Sequence, residues 1–221
     1  GQMLANIAHQ WRQPLTELNL TLFNMKKASI HNNEKKVDEL YKESKTLISS
    51  MSSTIDDFTN FFNPQKEKKS FEIKDAINEA LIILRKVIEV ENIHIQIDVP
   101  INYKVIGVSN ELSQVIINLI QNSKDAFIQN DIKNKTIIIT LKEELILDKK
   151  YALLEIKDNA GGISKENIDK IFDPYFTTKY KSQGTGLGLF MSKMIIEKSL
   201  EGELSHKNID DGSLFTISIP M

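Results

Sequence analysis

The chain has 221 residues, 41% of them hydrophobic, with 28 Lys+Arg against 30 Asp+Glu and a formal net charge of -2. That length holds one large domain or two small ones around a sizeable core, and the near balance of charge gives no footing for nucleic acid as the main partner. The absence of cysteine excludes disulfides, thiol catalysis and cysteine-ligated metals. Apolar runs such as Val115 to Ile120 and Ile137 to Leu141 are too short to span a bilayer, so no membrane contact is expected of this segment.

The sequence is inside an apolar helical pattern by Met3 and is expected to be part of a longer protein. Trp11, Leu15, Leu18, Leu22 and Met25 repeat at alternating spacings of four and three, and so do Val37, Tyr41, Ser44, Ile48, Met51, Ile55, Phe58 and Phe62. This period of about 3.5 residues is the seam of helices packed nearly parallel. The polar stretch Ile30-His-Asn-Asn-Glu34 reads as the turn of an antiparallel hairpin. A lone hairpin leaves its aromatics partly wet, so a homodimer pairing two hairpins into a four-helix bundle is the physical expectation. The alternative is that the helices pack on the second half of the same chain.

Asn63-Pro-Gln-Lys-Glu-Lys-Lys69 reads as a hinge, which divides the chain into a helical hairpin over 1–64, a linker over 65–70 and a second domain over 71–221. After the hinge, Phe71 to Ile73 is a short strand and Asp75 to Val90 an amphipathic helix with Ile77, Ala80, Leu81, Leu84 and Ile88 on one face. Ile93, Ile95 and Ile97 alternate with polar residues as a half-buried strand does. Further strands fit Tyr103 to Val108, Thr136 to Lys142, Ala152 to Lys157, Gly202 to Ser205 and Leu214 to Ile219, and helices fit Glu111 to Gln129 and Gly188 to Lys198. The class is therefore α+β: a helical hairpin followed by an α/β two-layer sandwich.

Three separated segments of the second domain carry glycines or amides. In Asn118-Leu-Ile-Gln-Asn122 two amides lie one helical turn apart. Amide oxygens can complete the shell of a Mg2+ already held by phosphates, although a polar helix face explains the pair as well. Asp158 ends the strand Leu153 to Lys157 and precedes a turn with Gly161 and Gly162. A carboxylate there can accept from the exocyclic amine of adenine, while a plain Asp-Asn turn is the commoner explanation. Gly184, Gly186 and Gly188 precede an apolar-faced helix, placing backbone N–H groups and a helix N-terminus where a triphosphate could lie. Between these pieces Ile171-Phe-Asp-Pro-Tyr-Phe-Thr-Thr-Lys179 offers Phe172 and Phe176 as anchors for a mobile lid, with Lys179 or Lys181 available to phosphate oxygens.

A fourth piece, His9-Gln-Trp-Arg-Gln-Pro-Leu15, stands near the start. His9 lies off the seam two residues before Trp11, so its ring should face solvent, and Pro14 should bend the helix near it. His31, His94 and His206 match no motif and read as surface or structural residues.

In order, these segments resemble the H, N, G1, F and G2 boxes of two-component sensor histidine kinases, from His9 to Gly212-Ser-Leu-Phe-Thr-Ile-Ser-Ile-Pro220. The resemblance implies a dimerising phosphoacceptor hairpin and a Bergerat-type ATP-binding sandwich. It implies that ATP and Mg2+ phosphorylate His9, that the phosphoryl group passes to an Asp of a response-regulator receiver domain, and that the kinase also dephosphorylates that receiver. Asn122 would then ligand Mg2+ with Asn118 nearby, and Asp158 would hold adenine. Gly162, Thr178, Lys179, Gly184, Thr185, Gly186, Leu187 and Gly188 would line the nucleotide. It also implies a cytoplasmic segment of a longer, membrane-anchored bacterial sensor. The alternatives are an ATPase like the gyrase, mismatch-repair or chaperone relatives of the same ATP fold, and a degenerate nucleotide-binding scaffold without phosphotransfer.

Gln10, Ala160 and Asp125 depart from the family pattern, whereas Gln13 fits it. Gln10 replaces an acidic neighbour of the phosphorylated His; it can fix the tautomer through Nδ1–H but cannot act as a base. Gln13, one turn beyond His9, stands where a polar residue can orient water against a partner's phosphoaspartate. Ala160 replaces the first glycine of the G1 box and is tolerable only at negative φ, and Asp125 stands where relatives keep a basic residue.

Overall fold

The computed structural model describes the backbone of residues 2–61, 67–178 and 186–221, and the side chains of these residues except 2–14, 50 and 53–61. The chain divides into a unit built on residues 1–63 and a unit of residues 64–176 with 186–221.

The first unit is a hairpin of α1 (Gln2–Ile30) and α2 (Glu34–Phe61). Its turn is set by asparagines. Asn32 takes the left-handed conformation at φ 51°, which lets the Asn33 N–H reach back to the Ala28 carbonyl at 3.0 Å and close α1. Asn33 then starts α2, its Oδ1 accepting from the Lys36 N–H at 3.1 Å. Among the described residues of the hairpin, the buried positions are Thr21 on α1 and Leu40, Ser44 and Leu47 on α2. The two hydroxyls of this seam donate to their own helix, Thr21 to the Glu17 carbonyl and Ser44 to the Leu40 carbonyl, both at 2.9 Å.

That seam differs from the expected one at alternate positions. Ser44 is shared, but Leu40 and Leu47 face α1, while Tyr41 and Ile48 are exposed at 52% and 53%. α2 thus carries two adjacent apolar stripes, and a single heptad assignment names only one of them. Leu15, Leu20, Leu22 and Phe23 of α1 are exposed as well.

The second unit runs β1 (Lys69–Glu72), α3 (Ile73–Val90), β2 (His94–Asp98), β3 (Lys104–Gly107), α4 (Ser109–Gln129), β4 (Thr136–Ile146), β5 (Lys149–Asp158), α5 (Gly188–Met194), β6 (Glu203–Ile209) and β7 (Gly212–Pro220). α5 continues as a π-helical turn over Ile195–Ser199. The five-stranded sheet has the order β2-β4-β5-β7-β6; β2 and β4 are parallel and the other neighbours antiparallel. β1 and β3 form a separate antiparallel pair.

One face of the sheet is dry. Ile137, Ile139 and Leu141 of β4, Ala152, Leu154 and Ile156 of β5, and Phe215, Ile217 and Ile219 of β7 are buried, as strict alternation along each strand requires. The helices supply the other half of this core through Ile73, Ala76, Ile77, Ala80 and Leu84 of α3 and Leu112, Val115, Ile116, Leu119, Ile120 and Phe127 of α4. Each such Ile, Leu or Phe contributes about 1.5–3 kcal/mol on burial, which fixes α4 and the end of β5 relative to each other. α3 and α4 end as α1 does, with Asn92 at φ 51° and Asp131 at φ 50°.

Candidate nucleotide-binding site

Asp158 sits where β5 runs out beneath α4 and is 5% exposed. A buried carboxylate needs donors, and three converge on it. Ser123 Oγ of α4 donates to Oδ2 at 2.6 Å. The Ala160 N–H donates to Oδ1 at 2.9 Å and the Ser213 N–H to the same oxygen at 3.1 Å. A carboxylate offers about four acceptor positions, so Oδ2 keeps a lone pair for a further donor such as a purine amine.

The turn after Asp158 is held from several sides. Gly161 and Gly162 adopt φ 94° and 74°, a conformation that L side chains rarely take, whereas Ala160 is not among the residues of positive φ. The condition for a methyl at that G1 position is met. Asn130 at the end of α4 donates to the Ala160 carbonyl at 2.6 Å, and Asn208 of β6 grips Ile163 through both its N–H, at 2.8 Å, and its carbonyl, at 2.6 Å. Asn159 accepts from Thr136 N–H at 2.9 Å, which ties the turn to the start of β4. A Cβ on Gly212 would overlap the Asp158 carbonyl, so the β6–β7 turn can close on the site only as glycine.

The two amides of α4 separate in role. Asn118 Nδ2 donates to Ser192 Oγ of α5 at 2.8 Å, and its Oδ1 occupies the space a Cβ on Gly188 would need. Asn118 therefore docks α5 onto α4. Asn122, one turn on, is half-buried next to Ser123 and on the same helix end as the Asp158 carboxylate. Beside it Lys124 Nζ lies 2.7 Å from Asp125 Oδ1, so that cation is engaged by its own neighbour. Among the described residues no cluster of three or more His, Asp or Glu could hold a metal. A Mg2+ here would have to bring phosphate oxygens as ligands, the role in which a single amide oxygen fits.

At the far end, Gly186 is left-handed at φ 66° and packs on the backbone of Tyr175, which is itself at φ 68° and donates its N–H to the Gly186 carbonyl at 2.7 Å. The Tyr175 hydroxyl is buried without a partner among the described residues, and burial pushes this phenol up from its ordinary pKa. Leu187 is buried and Gly188 opens α5, whereas Thr178 is exposed. Phe172 and Phe176 are half-buried, and Lys193 Nζ lies 4.9 Å from the Phe172 ring centroid. Lys179, Lys181, Gly184 and Thr185 lie outside the described residues, as do the side chains of His9, Gln10 and Gln13; the backbone of the last three belongs to α1, which runs unbroken through Pro14.

Of the predicted residues, the structure brings Asn118, Asn122, Asp158, Gly162 and Gly188 to one end of the sandwich. The sequence reading missed Ser123, Asn130, Ser192, Asn208 and Ser213. Ser123 directly follows Asn122 on α4, whereas the other four declare themselves only through partners 30 or more positions away.

Comparison with known proteins agrees with this geometry. The model of the histidine kinase-, DNA gyrase B- and HSP90-like ATPases matches residues 107–221. The two-component sensor PprA of Pseudomonas aeruginosa is 29% identical, covering 100% of this chain and 24% of that protein. Sporulation kinase A of Bacillus subtilis is 30% identical, covering 100% of this chain and 34% of that protein. The chain thus spans about a quarter to a third of the length of these curated relatives. Among solved structures, the catalytic domain of histidine kinase ThkA is similar at 29% identity and TM-score 0.59, covering 70% of this chain and 96% of that one. ThkA in complex with the response regulator protein TrrA is similar at 25% identity and TM-score 0.69, covering 100% of this chain and 61% of that one. No described helix is long and apolar enough to cross a membrane. The chain belongs to the histidine kinase-, DNA gyrase B- and HSP90-like ATPase family, whose fold implies ATP binding, and is a sensor histidine kinase catalytic core homologous along its whole length to two-component sensor kinases.

Proposed function

We propose that this chain is an ATP-dependent histidine autokinase: residues 1–64 form the dimerising phosphoacceptor hairpin, 65–70 a linker and 71–221 the catalytic domain. The observation that carries the reading is the buried Asp158, which accepts from three protein donors and keeps one acceptor position. That position takes the adenine amine, and Gly162 and the segment Gly186 to Gly188 line the sugar and phosphates with backbone. Bound ATP with Mg2+ supplies the γ-phosphoryl group, with Asn122 as the protein ligand of the metal.

His9 Nε2 attacks the γ-phosphorus, the bond to the bridging oxygen breaks, and ADP leaves. Gln10 accepts from the His9 Nδ1–H and so keeps Nε2 as the nucleophile. Being an amide, it removes no proton, and catalysis rests on positioning and charge neutralisation. Thr178, Lys179, Gly184 and Thr185 belong to the lid over the phosphates. The phosphoryl group then moves to an Asp of a response-regulator receiver, and Gln13 orients water for the hydrolysis of that phosphoaspartate to carboxylate and phosphate. That ThkA, a homologue, is crystallised with the response regulator TrrA supports such a partner. The exposed stripe of Leu15, Leu22, Tyr41 and Ile48 supports a homodimer through the hairpins, and the whole is the cytoplasmic part of a longer sensor.

Incubation with γ-labelled ATP and Mg2+ tests this. The wild type is expected to carry an acid-labile, base-stable label that His9→Ala lacks; equal labelling of the two proteins would refute it.

A further inference from the structure

His206 was expected to be a surface or structural residue, yet its surroundings tie it to the nucleotide site. It lies on the dry face of β6, paired with Phe215, whose ring it meets at a centroid distance of 4.8 Å and 52° between planes. Its Nε2 is 3.1 Å from Ser213 Oγ, and its Nδ1 is buried without a partner among the described residues. Ser213, 5% exposed, in turn gives its N–H to Asp158 Oδ1 at 3.1 Å. A two-step path of hydrogen bonds therefore joins a titratable imidazole to the carboxylate that reads the base.

The buried nitrogen selects the tautomer. Were Nδ1 protonated, a buried N–H would go unsatisfied at a cost of about 1–3 kcal/mol. With the proton on Nε2, the ring donates to Ser213 Oγ and only a lone pair lacks a partner. The Ser213 hydroxyl proton is then turned away from the ring.

The charges around the ring leave one that matters. β7 carries no charged side chain, and Asp210 and Asp211 of the turn before it are exposed. In α5 and its π-helical continuation Lys193 and Glu197 pair at 3.6 Å and Lys198 is exposed. Glu203 and Lys207 of β6 alternate to the other sheet face. The charge acting on the imidazole is that of Asp158, which favours protonation, while burial, the larger influence, holds the ring below its ordinary 6.5.

We propose that His206 is a positioning residue that makes nucleotide binding sensitive to protons: the neutral ring holds Ser213 in place and leaves Asp158 free to accept from adenine, whereas the imidazolium competes with the base for that carboxylate. An imidazolium has two N–H donors, and its Nδ1–H has no described acceptor. The anion that already acts on the ring is the acceptor it turns toward. Asp158 then loses acceptor strength for the base, so proton and nucleotide oppose each other at one site. This rests on Asp158 as the adenine-holding residue.

The test is calorimetric ADP affinity between about pH 5 and about pH 8 for wild type, His206→Gln and His206→Leu, with NMR titration of the labelled imidazoles. Below the His206 midpoint, wild-type affinity is expected to fall by about one decade per pH unit relative to His206→Gln. The ring's midpoint should move lower in saturating ADP. Phosphate titration of ADP itself cancels in the comparison. At the alkaline end His206→Leu should bind between about twofold and about tenfold more weakly than wild type, and His206→Gln, which keeps a donor to Ser213, should recover most of this. Equal pH slopes in wild type and His206→Gln, or a midpoint that ADP leaves in place, would overturn the role of His206 alone. Failure of the wild type to bind ADP at any pH would overturn it together with the reading of Asp158.

Discussion

Ser123 Oγ donates to Asp158 Oδ2 at 2.6 Å, bonding the end of β5 to α4 at the residue after Asn122. One hydroxyl therefore fixes the spacing between the carboxylate proposed to hold the base and the amide proposed to face the metal. Removing it leaves a buried carboxylate short of a donor, at a cost of about 1.5–3 kcal/mol. Ser123→Ala is expected to lower the urea-unfolding free energy by that amount and to weaken ADP binding in calorimetry; a stable variant with unaltered affinity would show the bond to be dispensable.

Gly188 touches Asn118 across the α4–α5 contact, where an added methyl would overlap the amide oxygen. Gly188→Ala must displace Asn118 and break its bond to Ser192. Overpacking of this kind costs about 1–3 kcal/mol, and the expected result is lower thermal stability together with weaker nucleotide binding. Gly188→Ala with Asn118→Ser, which removes the obstructing amide, should recover part of the stability.

How far the sequence carried can be seen in particular residues. The mixed strand and helix order of the second unit was legible because alternation along β4, β5 and β7 and the 3.6-residue stripe of α3 are physical requirements of burial on one face. The β4–β5 hairpin was read too short. It runs on to Ile146 and Lys149 around Leu147 and Asp148 at φ 49° and 61°, and a leucine at such a position gives no turn signal. Asp158 and the glycines of the site were legible because their backbone demands are local. Ser213 and His206 were not, since their meaning lies in pairings across β5, β7 and β6 that a single sequence does not display.

Acidity should weaken the fold through the same histidine. Burial lowers the His206 pKa in the folded chain below the 6.5 of the ordinary ring, so the unfolded chain binds the extra proton first. Stability is then fully present above about pH 6.5 and declines as pH falls from there toward the folded-state midpoint. Urea midpoints of wild type and His206→Gln across that window test this. The wild type should lose more stability on acidification, and parallel curves would argue that the ring contributes nothing.

The exposed Tyr41 and Ile48 of α2 point to a second hairpin as their cover. Each apolar side chain buried at such a seam contributes about 1.5–3 kcal/mol, so Tyr41→Asp with Ile48→Asp should convert a dimer to a monomer at micromolar concentration. Light scattering after gel filtration reads the mass directly; a variant as dimeric as the wild type would place the interface elsewhere.

Asp158 is the residue proposed to read the adenine amine. Asp158→Asn keeps the shape but sets an amide N–H against the amine, and the loss of a charge-assisted bond predicts ADP binding about ten- to a hundredfold weaker. Titration calorimetry of ADP and GDP into both proteins measures this. Wild type should prefer ADP strongly, and the variant should lose both the affinity and the preference. Equal ADP affinity in the two proteins would contradict the account.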